Sequence, residues 1–202
     1  MVKLSYQFGA DSISILLLRM VFAFPFYFVI SLIKRPQQKI ARQDYLWLVG
    51  LGMIGYYLAS YFDFLGLQYI KASLERLILF IYPTLVLLLS YLIFGKTITR
   101  KQAIGVIVTY IGVVIIFSGE LAVNQSSDVI LGAVLIFFSA LTYAGYLTGS
   151  GWIIPKFGAT VFTSYAMMIS CGCVVVHYLL TKDITILSFE PEVYWIGLAM
   201  AF

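Results

Sequence analysis

The sequence predicts an all-α, polytopic membrane helical bundle, and three observations support this fold class. Of the 202 residues, 62% are hydrophobic and 11% are charged, whereas soluble domains average about 45–50% apolar and about 25% charged residues. No charged residue lies between Asp128 and Lys156 or between Lys156 and Lys182. Each interval is long enough for a membrane-spanning helix of about 20 residues. No segment of about ten residues with alternating polarity, as in a membrane β-barrel, is present.

Seven apolar runs follow one another along the chain, six of them long enough to cross a bilayer. The six complete runs cover roughly residues 13–33, 46–69, 73–94, 102–118, 129–151 and 159–181. The seventh starts near Tyr194 and reaches Phe202, which gives only the beginning of a span. Because the connections are short, neighbouring helices are expected to be antiparallel.

The basic residues between the runs predict the orientation of the chain in the membrane. One side carries Lys34, Arg35, Lys39, Arg42, Lys96, Arg100, Lys101 and Lys156. The other side carries Lys3, Lys71 and Lys182. The positive-inside rule makes the first side cytoplasmic, which places Met1 outside. An N-terminus on that side leads us to expect a further span before Met1 that this sequence lacks. Basic residues dispersed in this way exclude a nucleic-acid-binding face.

A short internal repeat predicts how the spans are grouped. Phe8-Gly9-Ala10 recurs as Phe157-Gly158-Ala159, 149 positions later, and the same offset relates Tyr45 to Tyr194. The offset predicts repeats of five helices, and an odd number inverts successive repeats in the membrane. Residues 1–122 would then be a first repeat without its first helix, and residues 123–202 the start of a second.

Three stretches carry a resemblance to a known family. They are Asp63–Thr84, where a turn of small residues opens a helix with a central proline, Arg19 in the first run, and the glycine-containing segment Gly105–Ile116. These stretches resemble the EamA domain of the drug/metabolite transporter superfamily. The resemblance implies a ten-helix transporter with cytoplasmic termini and a solute cavity between two repeats, of which this chain would be a piece truncated at both ends.

Four charged residues lie in or beside apolar runs, namely Arg19, Asp63, Glu75 and Arg76. An ion inside the hydrocarbon costs at least a few kcal/mol, so such groups usually pair or face a watery cavity. Arg19 and Asp63 both lie about 10 Å below the outer boundary, and their matching depth favours an ion pair. One interpretation is a binding or gating site for a charged or zwitterionic solute. The alternative is a structural ion pair, with Arg76 extending its side chain to the interface.

Polar residues also align on single helix faces at helical spacing. The faces comprise Tyr56, Ser60 and Asp63 on the second run, Glu75 and Tyr82 on the third, and Ser139, Thr142, Tyr143, Tyr146 and Ser150 on the fifth. Tyrosine suits a cavity wall, since it combines apolar area with a hydroxyl group. An interfacial aromatic belt is the alternative.

Two prolines and one histidine complete the candidate residues. Pro83 is expected to kink the third run, because proline removes a backbone hydrogen bond, and Pro25 could act in the same way. Such a kink can aim backbone carbonyls at a cavity or act as a hinge. The alternative is a proline without either role, which is common in membrane helices. His177, near the outer end of the sixth run, is interpreted as an interfacial residue, with a proton relay as the alternative.

The sequence contains no motif of a hydrolase, an ATPase, a metal site or a cofactor site, so an enzyme is not predicted. The functional prediction is an inner-membrane secondary transporter that exports or exchanges small metabolites such as amino acids or drugs. Alternating access would occur between the two repeats, with coupling to a proton left open. Its partners would be the lipid bilayer and a small solute, with no cofactor and no nucleic acid. The alternative is a truncated, non-transporting membrane protein or scaffold.

Overall fold

The computed structural model describes residues 2–7, 9–36, 38–117, 127–182 and 191–201, which are almost entirely helical and contain no strand. The α-helices are α1 (Val2–Gln7), α2 (Ser12–Ile33), α3 (Arg42–Gly52), α4 (Ala59–Gly66), α5 (Ala72–Leu79), α6 (Tyr82–Phe94), α7 (Arg100–Phe117), α8 (Ser127–Phe157), α9 (Ala159–Thr181) and α10 (Pro191–Ala201). A π-helical segment, Met53–Leu58, joins α3 to α4. The predicted all-α class is therefore confirmed.

Five helical segments of this described part are long and apolar enough to cross a membrane. They are Ser12–Ile33, Arg42–Gly66, Ala72–Phe94, Asp128–Phe157 and Ala159–Thr181. Each overlaps one of the predicted runs, and the first and last of the five agree with prediction to within one residue. The fourth predicted run forms α7, which adjoins residues 118–126 that lie outside the described ranges. The chain is thus an integral, multi-pass membrane protein.

The fifth run is longer than predicted. Lys156 was expected in a loop after residue 151, but α8 continues through Pro155 and Lys156 to Phe157. Pro155 removes one backbone hydrogen bond without ending the helix. Gly158 alone then separates α8 from α9, with a φ of 81° that a residue with a side chain rarely adopts. A single glycine therefore makes the whole reversal between two spans.

The second and third spans are not regular α-helices. The π-helical segment interrupts the second span, and α5 gives way to α6 at Phe80 and Ile81. Pro83 lies in the first turn of α6, where an N–H has no partner within the helix. If α5 continued without a break, Pro83 would lack the N–H needed to bond the carbonyl of Leu79. The break predicted at Pro83 is therefore present, whereas Pro25 lies inside the uninterrupted α2. A hinge role for either proline stays a prediction.

The centre of the bundle is an antiparallel pair, α2 and α9. Leu16 and Met20 of α2 and Val174 and Tyr178 of α9 are almost completely buried in the core that includes both helices. Helix α10 packs on α2, and α3 packs on α9. Helix α8 packs against α4, α5, α6 and the π-helical segment. This arrangement brings one face of α8 against the second and third spans.

Two structural features recur at the offset of 149 residues found in the sequence. Gly9 precedes α2 and Gly158 precedes α9, and both glycines have a positive φ, 75° and 81°. Helix α3 begins at Arg42, and α10 begins at Pro191. The predicted boundary at residues 122 and 123 lies outside the described residues.

Helix α7 presents its apolar side chains outward. Ile104, Ile107, Val108 and Ile111 are each more than half exposed. In water such a surface would be unfavourable, but lipid tails are as apolar as these side chains. Helix α7 therefore has the surface expected of a helix that faces lipid.

Candidate functional site

Four tyrosines from three spans form a continuous chain of contacts, called here the tyrosine cluster (Tyr56, Tyr82, Tyr143 and Tyr146). The Tyr146 hydroxyl donates a hydrogen bond to the Tyr56 hydroxyl at 3.1 Å, with ring centroids 5.0 Å apart. The Tyr143 ring stacks 6.0 Å from Tyr146, and Tyr82 meets Tyr143 edge to face at 5.7 Å. Tyr146 is 5% exposed, whereas Tyr82 and Tyr143 are each 36% exposed. The cluster therefore runs from the protein interior to its surface.

Local sequence explains how the cluster assembles. Tyr143 and Tyr146 are three residues apart on α8, so both side chains lie on one face of the helix. Gly55 in the π-helical segment allows α8 to approach, because a Cβ atom there would lie 2.2 Å from Cγ of Tyr146. Tyr82 starts α6, directly before Pro83. The four tyrosines predicted as site residues are thus brought together.

The four predicted charged residues form a second group, called here the charged cluster (Arg19, Asp63, Glu75 and Arg76). Asp63, on α4, interacts electrostatically with the other three. Its Oδ1 atom is buried and has no hydrogen-bond partner in the described structure. Glu75, in the first turn of α5, is 8% exposed. Buried polar atoms are normally hydrogen-bonded, so a free carboxylate oxygen at this place is available to a donor group.

The predicted ion pair between Arg19 and Asp63 does not form as a direct contact. The two ion pairs within 4.0 Å in the described part of the chain lie elsewhere. The Arg19 guanidinium instead lies 5.8 Å from the ring centroid of Phe64, within cation–π distance. Phe64 follows Asp63 on α4 and is buried in the same core as α2, so its ring occupies the space beside Arg19.

Arg19 connects the two clusters. It interacts electrostatically with both Asp63 and Tyr56. Ser60 is half-buried on α4 between these two residues in sequence, but no hydrogen bond joins it to either cluster in the described structure. Arg76 is exposed, as expected for a side chain that reaches the interface. Arg19 therefore lies within electrostatic range of both Asp63 and Tyr56, although its contact is with Phe64.

Two ion pairs that the sequence did not predict join the helices at opposite ends of the bundle. Lys156 Nζ lies 2.6 Å from Asp44 Oδ1, and its ammonium group lies 4.4 Å from the ring centroid of Trp152. Lys182 Nζ lies 3.1 Å from Asp11 Oδ2. Sequence reasoning used both lysines only to assign orientation. The signal that could have identified the pairs is the presence of one acidic and one basic residue at helix ends on the same membrane side.

A tyrosine on α1 covers the outer side of α4. Burial raises the pKa of the Tyr6 hydroxyl to about 12, so the hydroxyl stays protonated. It donates a hydrogen bond to the backbone carbonyl of Phe64. Beside it, the Gln68 amide donates to the Ser12 hydroxyl at 2.7 Å. These contacts cover the end of the second span that is predicted to face outward, one residue from Asp63, and nothing in the sequence pattern signalled them.

Comparisons with known proteins agree with this architecture. Residues 1–118 match the model of the EamA-like transporter family. The uncharacterized transporter YcbK of Bacillus subtilis is 31% identical over 168 residues, which are 82% of this chain and 54% of that protein. The S-adenosylmethionine/S-adenosylhomocysteine transporter of Chlamydia trachomatis serovar L2 is 27% identical over 175 residues, or 81% of this chain and 52% of that protein.

A solved crystal structure of a protein shares the fold. It superposes with a TM-score of 0.71 at 13% sequence identity, and the match covers 95% of this chain and 66% of that one. The chain spans about half the length of the curated relatives it matches. The family match covers more than half of the chain, and together with the helical fold it shows that this protein belongs to the EamA-like transporter family.

Proposed function

We propose that this chain forms part of an inner-membrane secondary transporter that exports or exchanges small metabolites. The observation that carries the proposal is that Arg19 interacts electrostatically with Tyr56 of the tyrosine cluster and with Asp63 of the charged cluster. Buried charges inside a membrane helix bundle usually mark a solute or ion pathway. Here they adjoin aromatic side chains with free faces, which is the composition of a site for an organic solute.

The side chains of the site favour a solute of amino-acid type. Asp63 and Glu75 would accept hydrogen bonds from an ammonium group, and Arg19 would bind a carboxylate. The exposed rings of Tyr82 and Tyr143 would pack against an apolar or aromatic part of the solute. The two solutes named for the chlamydial relative each combine an amino-acid group with a purine ring. The same combination would fit this site, whereas amino acids and drugs remain the wider class.

The inverted repeat is part of the proposal. The two glycines with positive φ and the two helix starts, each separated by 149 residues, support repeats that begin at equivalent places. Each ion pair at the bundle ends would then join one repeat to the other. Asp11 and Lys182 connect α2 to α9 on the predicted outer side, and Asp44 and Lys156 connect α3 to α8 on the cytoplasmic side.

These two connections support a mechanism of alternating access. Opening the outer side would separate Asp11 from Lys182, and opening the cytoplasmic side would separate Asp44 from Lys156. Both ion pairs are formed in this structure. In the proposed cycle, this would be a state in which both ends are closed. Rocking one repeat against the other around a central site is the motion that inverted-repeat carriers use.

The first experiment is the Asp63→Asn substitution in the full-length protein, reconstituted in proteoliposomes. Exchange of radiolabelled S-adenosylmethionine and of radiolabelled methionine would be measured. Asparagine keeps the shape of the side chain but removes the charge, so solute uptake should fall by about tenfold or more. Asp128→Asn is the matched control. Asp128 is exposed at the start of α8, so this substitution should leave solute uptake unchanged.

The possible outcomes separate the hypotheses. Unchanged uptake in the Asp63→Asn variant would contradict the role of this carboxylate in the site. A wild-type protein that exchanges neither these solutes nor a wider panel of amino acids and drugs would favour the alternative of a non-transporting membrane scaffold.

A further inference from the structure

A separate polar cluster lies between the second span and α9. The Tyr57 hydroxyl and His177 Nδ1 are hydrogen-bonded at 2.9 Å. The Tyr61 ring lies 4.9 Å from the imidazole, centroid to centroid, and stacks 6.4 Å from the Tyr57 ring. These three residues are called the histidine cluster. His177 is the single histidine in the sequence and is half-buried.

The histidine cluster can hold an imidazole in either protonation state. When the ring is neutral with its proton on Nε2, the Tyr57 hydroxyl donates its hydrogen bond to Nδ1. A proton taken from water binds Nδ1, which then donates to the Tyr57 oxygen after the hydroxyl hydrogen rotates away. The hydrogen bond is thus retained with its donor exchanged. The face of Tyr61, within about 6 Å, attracts the cation that results.

The charged groups on the elements around His177 form no direct ion pair with it in the described part of the chain. The elements packed against α9 are α2, α3, α8 and the π-helical segment, and α4 contributes Tyr61. Their charged residues in the described ranges are Asp11, Arg19, Arg42, Asp44, Asp63, Asp128 and Lys156. None of these forms an ion pair with His177, and Lys182 at the end of α9 is paired with Asp11. The other titratable neighbours are Cys173, which interacts electrostatically with Tyr57, and Tyr178 on α9.

The π-helical segment connects the histidine cluster to the tyrosine cluster. Two consecutive residues of this segment bond to different helices: Tyr56 to Tyr146 of α8, and Tyr57 to His177 of α9. The π-helix is a rare conformation that often occurs at functional sites. Because Tyr56 and Tyr57 are adjacent in this segment, a backbone shift at Tyr57 would also move Tyr56.

We propose that His177 is a proton-binding site and that the π-helical segment Met53–Leu58 couples its protonation to the Tyr56–Tyr146 contact. Protonation places a positive charge against the Tyr57 hydroxyl, and a shift of Tyr57 in response would also move the adjacent Tyr56 and its contact with Tyr146. The purpose of this coupling rests on the proposed transport function, in which a proton would be exchanged for the solute or move with it. The binding of the proton itself does not depend on transport.

The test is an NMR titration of the protein in nanodiscs between pH 5 and 8, the range in which imidazole usually titrates. Because the chain has a single histidine, its labelled ring gives one unambiguous titration curve. Labelled Tyr56 and Tyr146, assigned by substitution to Phe, should shift with the same midpoint. In His177→Gln, and in Tyr57→Phe, the tyrosine shifts should disappear. Tyr165→Phe, which removes a hydroxyl near the other end of α9, should leave them unchanged.

Two results would overturn the proposal. One is an imidazole that does not change protonation in this range, and the other is a titrating imidazole that Tyr56 and Tyr146 do not follow. In a transport-competent protein, the part of the pH dependence of solute uptake that has the midpoint of the imidazole titration should be absent from His177→Gln. Persistence of that part in this variant would also overturn the coupling. A protein that shows the NMR coupling but transports nothing would contradict the proposed function while supporting the proton site.

Discussion

The two ends of the bundle are each closed by an ion pair between a lysine and an aspartate, but the pairs differ in their surroundings. At the predicted cytoplasmic end, the Asp44 side chain is 8% exposed and that of Lys156 is 31% exposed, with the ammonium group over Trp152. At the outer end, the side chains of Asp11 and Lys182 are each 35% exposed. Shielding from water strengthens an ion pair and raises the cost of leaving one partner alone. The comparison therefore indicates that the ion pair at the predicted cytoplasmic end is the harder one to separate.

Removing one lysine at each end is the strongest test of this difference. Lys156→Met leaves the buried Asp44 carboxylate without its partner and also removes the contact with Trp152. We expect the melting temperature in detergent to fall on the order of 5 °C or more. Lys182→Met, the matched change at the outer end, should lower it by only a few degrees, about 4 °C at most. Equal effects would show that the two ends are closed with equal strength.

A substitution between the two ends should disturb the site itself. Gly55→Ala places a methyl group against Tyr146, where the tight contact must relax at a cost of about 1–3 kcal/mol. Solute uptake and thermal stability should both decrease. Gly50→Ala, five residues earlier in the same span, is the control because no atom lies within 4 Å of its added Cβ. If both variants behave alike, the close approach of α8 at Gly55 is not what the site requires.

The smallest expected effect concerns salt at the outer end. Asp11→Asn should lower the free energy of unfolding by about 1 kcal/mol or less, since an exposed ion pair is weak. The difference between this variant and the wild-type protein should vanish at about 1 M salt, where the Debye length is about 3 Å. Melting curves at low and high salt measure it. A difference that persists at high salt would mean that the Asp11–Lys182 pair is shielded from water to the same degree as the Asp44–Lys156 pair.

The sequence predicted helix positions well where hydrophobicity alone determines them. Helix α9 has the predicted bounds, because an apolar run ends where the polar residues begin. The π-helical segment was not predicted, since a change of backbone hydrogen-bond register leaves the apolar pattern intact. The continuation of α8 through Pro155 was also missed, because proline near a helix end usually signals its termination.

Site residues were predicted individually, whereas their contacts depended on packing between spans. The spacing of Tyr143 and Tyr146 gave their shared face. The contact between Tyr82 and Tyr143 depends on how α6 packs on α8. A local sequence pattern contains no information on that packing. Depth and charge predicted an ion pair between Arg19 and Asp63. In the structure, the Arg19 guanidinium instead contacts the ring of Phe64, the residue after Asp63. Charge and depth thus identify candidates, and the side chains between them determine the partners.

The unbroken length of α8 has a consequence for the surrounding lipid. At 31 residues, α8 measures roughly 46 Å along its axis, against a hydrocarbon thickness of about 30 Å. Such a helix must tilt, emerge from the hydrocarbon at one or both ends, or thicken the bilayer around it. Because α8 also carries Tyr143, Tyr146 and Lys156, membrane thickness acts on the same helix that contributes to the proposed solute site and to the ion pair at the predicted cytoplasmic end.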